Sequence, residues 1–230
     1  MKTLGLVGGT GWVSTQTYYR LINRETNARL GGLNSARLLL YSVNYEDIYR
    51  LNQRDDHEAV TQLVADAARR LALAGAEGLV LCANTLHMYA ERVAESALLP
   101  LVHIGEATAA EARRRGYTRV GLMGTRPTME RAFYRDKLAA AGVEALIPDE
   151  TQRAAIHHAI FDEILKEVLD PATRARLVAI VASLAERGAE AVVLGCTEIP
   201  LLVRPEDTPV PLLDTLAIHA RAAVDFALSP

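Results

Sequence analysis

The feature that most constrains the fold of this 230-residue chain is an internal repeat. Three segments of the first half recur in the second half in the same order, at offsets of 116, 113 and 111 residues. The three offsets agree within five residues, which argues against the chance similarity that any α/β sequence shows. The repeat therefore predicts two equivalent halves, roughly 1–113 and 114–230. The matching pairs are LGLVGGT (4–10) with VGLMGTR (120–126), GAEGLVLCANTLH (75–87) with GAEAVVLGCTEIP (188–200), and LLPLVHIGEATAAEA (98–112) with PVPLLDTLAIHARAA (209–223).

Each half carries the pattern of a parallel sheet. Short apolar runs alternate with helical segments that begin near proline or a polar cap and end at glycine. Because the runs are apolar at nearly every position, they are typical of strands buried on both faces. The sequence predicts an α/β fold of two pseudo-symmetric three-layer lobes, each with a four-stranded parallel sheet. The predicted strands are 3–8, 36–43, 78–82, 99–104, 119–124, 143–148, 191–195 and 210–214, and the predicted helices run from about Ser14 to Gly31, Asp56 to Gly75 and Pro127 to Gly142.

Composition narrows the functional classes. A formal net charge of −3 and a pI near 6.1 provide no basic surface for nucleic acid. The apolar runs have strand length, far short of a membrane span, and the start MKTLGLVGG does not resemble a signal peptide. Two cysteines form neither a disulfide framework nor a zinc-ligand spacing. We therefore expect a cytoplasmic protein with free thiols, no bound metal and no nucleic-acid or membrane partner.

The placement of the two cysteines suggests a chemistry. In the 113-residue register Cys196 matches Ala83, while Cys82 matches Gly195. Ligands of open α/β sheets bind beyond the carboxyl ends of the strands. Two facing lobes would therefore present positions 83 and 196 to opposite sides of a small ligand, in an active-site cleft between them. That arrangement suits removal of the α-proton from one face of an amino acid and its return to the other.

At these residues the chain resembles the aspartate/glutamate racemase superfamily, over essentially its whole length. Glu198, rather than histidine, after Cys-Thr is typical of the aspartate racemase branch. The greatest similarity is to the L-aspartate/glutamate-specific and broad-specificity amino acid racemases. The resemblance implies an isomerase without cofactor that acts on a small, preferably acidic, amino acid and forms homodimers. The motifs that carry it are GLVGGTGWVST (5–15), CANTLH (82–87), GLMGTRPTM (121–129) and GCTEIPLL (195–202).

The resemblance also implies lobe boundaries and site residues. Since the last helix of the family crosses back to the first lobe, we expect one lobe at 1–104 plus 215–230 and the other at 105–214. Cys196 is expected to transfer the proton at one face of the substrate. Loop residues are expected to bind the substrate, mainly its carboxylate. These are Gly9, Thr10, Asn84, Thr85, Thr125, Thr128, Thr197 and Glu198.

The chain departs from the family at Ala83, where two-thiol members have a cysteine before Asn-Thr and where alanine has no acid or base function. Cys82 lies one residue earlier, and adjacent strand residues point to opposite faces. Either Cys82 packs in the core, or a twist of the strand end presents it to the substrate. His87 is a further candidate, either as a proton shuttle or as a hydrogen-bonding support, and a water beside Ala83 is a third. The mismatch predicts slow or asymmetric turnover.

The side chain of the substrate and the reaction itself leave alternatives open. Ile48 and Leu165 occupy the places of an arginine and a lysine in some aspartate-specific members. Arg50 and Lys166 lie close by, either as substitutes or as solvated surface charges. The alternatives to racemisation are a one-thiol decarboxylase or isomerase of the same superfamily, such as the arylmalonate decarboxylases, and a non-catalytic amino acid binding protein.

Overall fold

The computed structural model describes all 230 residues. The chain forms two compact units: unit 1 comprises Met1–His103 and His219–Pro230, and unit 2 comprises Ile104–Ile218. None of the helices combines the length and apolar character that crossing a bilayer requires.

Unit 1 contains a four-stranded parallel sheet with the strand order β2-β1-β3-β4. Its residues form the elements β1 (Leu4–Gly8), α1 (Trp12–Leu30), β2 (Leu38–Ser42), α2 (Tyr45–Asn52), α3 (His57–Leu73), β3 (Gly78–Leu81), a 3₁₀ helix (Thr85–Tyr89), α4 (Ala90–Ala97) and β4 (Leu101–Val102).

Unit 2 contains a second parallel sheet with the order β6-β5-β7-β8. Its elements are α5 (Ile104–Arg114), β5 (Arg119–Gly124), α6 (Arg126–Glu130), α7 (Ala132–Ala140), β6 (Glu144–Leu146), α8 (Glu150–His158), a π-helical turn (Ala159–Glu163), a 3₁₀ turn (Ile164–Lys166), α9 (Pro171–Glu186), β7 (Ala191–Gly195), 3₁₀ turns at Ile199–Leu201 and Pro205–Asp207, and β8 (Leu212–Asp214).

The last helix, α10 (Thr215–Leu228), begins in unit 2 and continues into unit 1. The sequence placed this boundary before the helix, at 214/215, whereas the structure places it within the helix. The first turn belongs to unit 2 because the hydroxyl of Thr215 donates a hydrogen bond to the Leu194 carbonyl, at 2.8 Å. Ile218 packs in the apolar core of the same unit.

The strand pairing reproduces the repeat and confirms the predicted fold class. Leu4 of β1 pairs with Gly78 of β3, and Val120 of β5 pairs with Ala191 of β7. The paired positions are thus related by 120 − 4 = 116 and 191 − 78 = 113, which are the offsets found in the sequence. The two sheets also share one strand order. Position 83 of unit 1 is therefore the structural equivalent of position 196 in unit 2.

Apolar side chains alternate between the two faces of each sheet, which produces three layers. In unit 2, Leu194 packs in the cluster beneath α8 and α9, while Val193 packs in the opposite cluster. In unit 1, Leu79 and Leu81 pack on the face covered by α3. The other face lies so close to α10 that a Cβ atom on Gly78 would come within 2.2 Å of the Phe226 ring.

The prediction of one continuous helix over 127–142 was wrong, because this segment forms two helices, α6 and α7. Arg131 has an extended backbone, with φ −86° and ψ 156°, and separates α6 from α7. The π-helical turn after α8 was not predicted either. In contrast, α3 begins at its predicted cap, since the Asp56 carboxylate accepts a hydrogen bond from the Ala59 N–H at 3.0 Å.

Candidate active site

Cys196 lies directly beyond the carboxyl end of β7. Two glycines bring this end of β7 close to β5, because a Cβ atom on Gly124 would lie 2.6 Å from the Gly195 carbonyl oxygen. The Cys196 side chain is 6 % exposed and packs with residues of the α8–α9 face, among them Met129 and Ile160. The fold therefore fixes this thiol at the strand end where ligands of α/β sheets bind.

Glu198 is the polar partner of the thiol. Cys196 Sγ donates a hydrogen bond to Glu198 Oε2 at 3.2 Å, and Thr197 Oγ1 donates to the same oxygen at 2.8 Å. Burial raises the pKa of Cys196 well above its usual value, and the negative charge of Glu198 raises it further. The thiol is therefore protonated at neutral pH, with a carboxylate in place to accept its proton.

Two hydroxyls lie at the adjacent end of β5. Thr125 precedes the first residue of α6, and its Oγ1 lies 3.1 Å from Oγ1 of Thr128. Both side chains are buried. Because Gly124 pairs with Gly195 in the sheet, the residues that follow these strands, Thr125 and Cys196, leave the same edge. Unit 2 thus gathers a thiol, hydroxyls and a carboxylate at one sheet edge.

The corresponding edge of unit 1 carries Ala83, Asn84 and Thr85, at the end of β3. Asn84 is buried and precedes the 3₁₀ helix, and its carbonyl accepts the backbone N–H of His87 at 3.0 Å. Ala83 is only partly buried and packs against the α3-side core. Beyond β3, unit 1 therefore offers amide and hydroxyl groups where unit 2 has a thiol.

The loop after β1 contributes Gly9 and Thr10. Gly9 has φ +89°, and a Cβ atom on it would lie 2.2 Å from the Val43 carbonyl oxygen, so only glycine fits. Its N–H donates to the hydroxyl of Thr15 at 3.0 Å. Thr10 Oγ1 is buried and has no hydrogen-bond partner within the protein. A buried hydroxyl of this kind is a group that a polar ligand would satisfy.

Cys82 is fully buried, and its Sγ lies 3.9 Å from the Val80 carbonyl oxygen. By strand alternation its side chain points to the face opposite Leu81, on the side that α10 covers. Burial raises the pKa of this thiol far above its usual value. Of the two alternatives left open by the sequence, this placement favours packing over proton transfer.

His87 lies in a cluster of three histidines, together with His103 and His219. Its ring centroid is 4.7 Å from that of His103 and 5.4 Å from that of His219. Since a carbonyl oxygen only accepts, Nδ1 of His87 donates to the Ala83 carbonyl, at 3.0 Å. Burial, with His103 nearby, lowers the pKa of His87 to about 3. His87 is therefore neutral at pH 7 and supports the backbone of the Ala83 loop.

His219 closes the other side of this histidine cluster. Its Nε2 donates to the Val102 carbonyl at 2.7 Å, so its Nδ1 accepts the hydroxyl proton of Tyr18, at 2.8 Å. Burial lowers its pKa to about 3 as well, with a smaller contribution from His87. Neither His103 nor His219 was singled out from the sequence. For His103 alone the sequence contains a usable signal, because this residue lies near the carboxyl end of the predicted strand (99–104) that became β4.

The two cationic side chains that the sequence offered for binding the substrate's side chain form ion pairs on the protein surface instead. Arg50 and Lys166 are both exposed and lie on helical surfaces. Each forms an ion pair with a carboxylate four residues earlier, which is the behaviour of solvated surface charges. The pairs are Arg50 with Glu46, at 2.8 Å, and Lys166 with Asp162, at 3.5 Å.

These features define the class of protein: a duplicated α/β protein with polar strand-end loops and a buried thiol in one of them. The sequence profile of the Asp/Glu/Hydantoin racemase family matches residues 7–223. The chain therefore belongs to the Asp/Glu/Hydantoin racemase family, as its motifs predicted.

Three relatives illustrate the similarity. A putative Asp/Glu racemase from Yersinia pestis, known from its crystal structure, is 43 % identical, with a TM-score of 0.92 and 100 % of both chains covered. The crystal structure of an aspartate racemase homologue from Pyrococcus horikoshii OT3 is 30 % identical, with a TM-score of 0.85 and the same coverage. The broad specificity amino-acid racemase RacX of Bacillus subtilis (strain 168) is 23 % identical over 232 residues, or 98 % of each chain.

Proposed function

We propose that this protein is a cofactor-independent amino acid racemase in which Cys196 transfers the α-proton at one face of the substrate. The observation that carries the proposal is the Cys196 thiol itself, held at a strand end with its proton directed at Glu198, 3.2 Å away. Membership of the racemase family supports the same reaction.

The carboxylate of the substrate is bound by the strand-end donors. Removal of the α-proton moves negative charge onto that carboxylate, so donors directed at it stabilise the transition state. In unit 2 these are the hydroxyls of Thr125 and Thr128, whereas the hydroxyl of Thr197 already donates to Glu198 and therefore orients that carboxylate. In unit 1 they are Asn84 and Thr85, with the buried hydroxyl of Thr10; Gly9 shapes the loop that carries Thr10, and its own N–H is engaged by Thr15.

Glu198 governs the protonation state of the thiol. To accept an α-proton, Cys196 must first lose its own proton, and Glu198 Oε2 is in place to take it. The positive ammonium group of a bound amino acid would offset the charge that this transfer leaves in a buried site. In the reverse direction the protonated thiol donates to the carbanion directly. We therefore expect Cys196 to work more readily as an acid than as a base.

The equivalent position in unit 1 has no thiol. Cys82 is turned into the core, and His87 is neutral with its N–H engaged by the Ala83 carbonyl. We propose that a water beside Ala83 exchanges the second proton. Water is a poorer acid and base than a tuned side chain. Turnover is therefore expected to be slow or to favour one direction.

The expected substrate is a small amino acid, with acidic side chains preferred. The homodimer and the cytoplasmic location that the sequence suggests stay predictions. Analytical ultracentrifugation would measure the first of these.

The proposal is tested by α-proton exchange in deuterated water, followed by NMR from each enantiomer of aspartate, glutamate and alanine separately. We expect exchange from both enantiomers at unequal rates. Cys196→Ala should abolish it, and Cys196→Ser should reduce it at least about 100-fold, because a hydroxyl is a far weaker acid than a thiol. Cys82→Ser is the matched control, and its exchange should persist.

Each contrary result has a distinct meaning. Unchanged exchange in Cys196→Ala would refute the proposal, and loss of exchange in Cys82→Ser alone would give the acid/base role to Cys82. Equal and fast exchange from both enantiomers would contradict the predicted asymmetry. Amino acid binding without any exchange would identify a binding protein, and release of carbon dioxide from malonates would identify a decarboxylase.

A further inference from the structure

Thr10 combines burial with an unused hydroxyl at the sheet edge of unit 1. Only 8 % of the residue is exposed, and its Oγ1 has no hydrogen-bond partner within the protein. The hydroxyls of Ser14 and Thr15, in contrast, both donate to the Gly11 carbonyl at 2.9 Å. Because Thr10 precedes α1, it has no helical carbonyl four residues earlier to accept its proton. Since buried polar groups of native proteins almost always have a partner, we expect a bound polar group to pair with this hydroxyl.

The loop that carries Thr10 is held on both sides. The Gly8 carbonyl accepts a hydrogen bond from the Val43 N–H at 2.9 Å, and the Gly9 N–H donates to the Thr15 hydroxyl at 3.0 Å. On the other side, α1 begins two residues after Thr10, at Trp12. With the backbone fixed in this way, only rotation of the side chain is left to Thr10. Its hydroxyl therefore stays at this edge of the sheet.

The strand register places the Thr10 loop next to the Ala83 loop. β1 and β3 are neighbouring parallel strands in which Val7 pairs with Leu81, and the Cys82 N–H donates to the Val7 carbonyl at 2.9 Å. Neighbouring strands of a sheet lie about 4.8 Å apart. Thr10 thus follows β1 at the same edge at which Ala83 follows β3. The Ala83 side chain is partly exposed there and has neither acid nor base function.

A hydroxyl can bind two groups at once, because it has one proton to donate and two lone pairs that accept. In the proposed racemase the proton of the Thr10 hydroxyl is donated to the substrate carboxylate. Its oxygen then accepts one O–H of the water beside Ala83, which leaves the other O–H of that water free to point at the α-carbon. Such a bridge fixes the water relative to the carboxylate, and rates depend steeply on the fixed placement of a reacting group.

We propose that Thr10 is the positioning residue for the water that exchanges the second proton. This inference rests on the proposed racemase function and identifies what holds its second proton donor. Cys196 first passes its own proton to Glu198 and then takes the α-proton, while the electron pair of the C–H bond moves into the enediolate. The water gives a proton to the other face of the α-carbon, where that pair forms the new C–H bond, and hydroxide is left. The hydroxide takes a proton from the solvent and Glu198 releases one, so the protons balance.

The test compares two processes of one enantiomer of aspartate, the one that exchanges faster. Cys196 alone can remove and return its α-proton, so deuterium enters with retained configuration, whereas inversion also needs the water. NMR measures the first process and chiral chromatography the second. In Thr10→Val, which keeps the shape but not the hydroxyl, the ratio of inversion to retained exchange should fall about 10- to 100-fold. Weaker binding of the carboxylate would lower both processes equally and leave this ratio unchanged. Thr10→Ser keeps the hydroxyl and should stay near the wild-type ratio.

Thr26→Val is the matched control. Thr26 is also buried in unit 1 with an unpaired Oγ1, but it lies within α1, where rotation of the side chain can bring the hydroxyl to a carbonyl of the preceding turn. It is about 20 Å along the helix from Trp12, so its ratio should equal that of wild type. Adding Ala83→Cys to Thr10→Val should restore inversion, because the new thiol supplies the proton in place of the water.

The outcomes separate this inference from the function on which it rests. An unchanged ratio in Thr10→Val, an equal fall in Thr26→Val, or no recovery with Ala83→Cys would refute the role of Thr10, while loss of exchange in Cys196→Ala still supports the racemase. If the wild-type protein inverts no substrate, a crystal structure with aspartate decides. An ordered water bonded to Thr10 Oγ1 and touching the Ala83 methyl group would support the water site although the reaction is refuted. Without such a water, the assignment is overturned.

Discussion

Mild acid should destabilise this protein through two buried histidines, His87 and His219. Each has a pKa of about 3 in the folded protein, against about 6.5 in an unfolded chain. Because the folded pKa is lowered, the unfolded state binds protons first as the pH falls. Their contribution to stability is therefore complete above about pH 6.5 and is lost progressively between pH 6.5 and pH 3.

The size of the loss follows from the same two values. At pH 5.0 each histidine takes up a proton on unfolding but not in the folded state, which costs about 2 kcal/mol per histidine. The two together should lower the free energy of unfolding by about 4 kcal/mol between pH 7.5 and pH 5.0. This is a large share of the 5–15 kcal/mol typical of folded proteins.

The assay is urea denaturation at pH 7.5 and pH 5.0, followed by circular dichroism, for wild type and His219→Gln. The variant should be less stable at pH 7.5, because glutamine does not reproduce the hydrogen bonds that His219 forms with Tyr18 and Val102. On acidification, however, its free energy of unfolding should fall by about 2 kcal/mol less than that of wild type. Arg54→Gln, at an exposed position, is the control and should keep the wild-type difference. The reasoning fails if His219→Gln loses as much stability on acidification as wild type does.

Two further predictions concern the strand ends and the core of unit 1. Ala83→Cys would place a thiol at the position equivalent to Cys196, so deuterium exchange should become faster and more equal between the two enantiomers; unchanged exchange would show that position 83 does not reach the substrate. Gly78→Ala should lower the free energy of unfolding by about 1–3 kcal/mol, because its methyl group would overlap the Phe226 ring. Adding Phe226→Leu should recover part of that loss in urea denaturation, and simple additivity of the two changes would argue against the overlap.

Much of the fold could be predicted because parallel strands that are buried on both faces have nearly continuous apolar sequences. All eight strands lie within their predicted segments, and the offsets of the repeat match the observed pairing of β1 with β3 and of β5 with β7. The break at Arg131 and the π-helical turn could not be predicted, since neither proline nor glycine marks them. Both depend on how α6, α7 and α8 pack, which no local pattern encodes.

The candidate site was predictable only where one segment carries the chemistry. Cys196, Thr197 and Glu198 are consecutive, so their proximity needed no tertiary information. The histidine cluster instead joins three residues from the 3₁₀ helix, the end of β4 and the last helix.

Cys82 lies one residue before Ala83, the position equivalent to Cys196. The packing of β3 in the apolar core, and not the loop that follows it, holds Cys82 in this register. Bringing Cys82 to the position equivalent to Cys196 would require β3 to slide by one residue, and such a slip turns every side chain of a strand to the other face. Leu79 and Leu81 would leave the α3-side cluster, where each is fully buried. Loss of a buried leucine costs about 2–5 kcal/mol, so two such losses would use most of the stability of a typical domain. A one-residue slide of β3 is therefore too costly to bring Cys82 to that position, and we expect a substitution at position 83 to be the simpler way to provide a second thiol there.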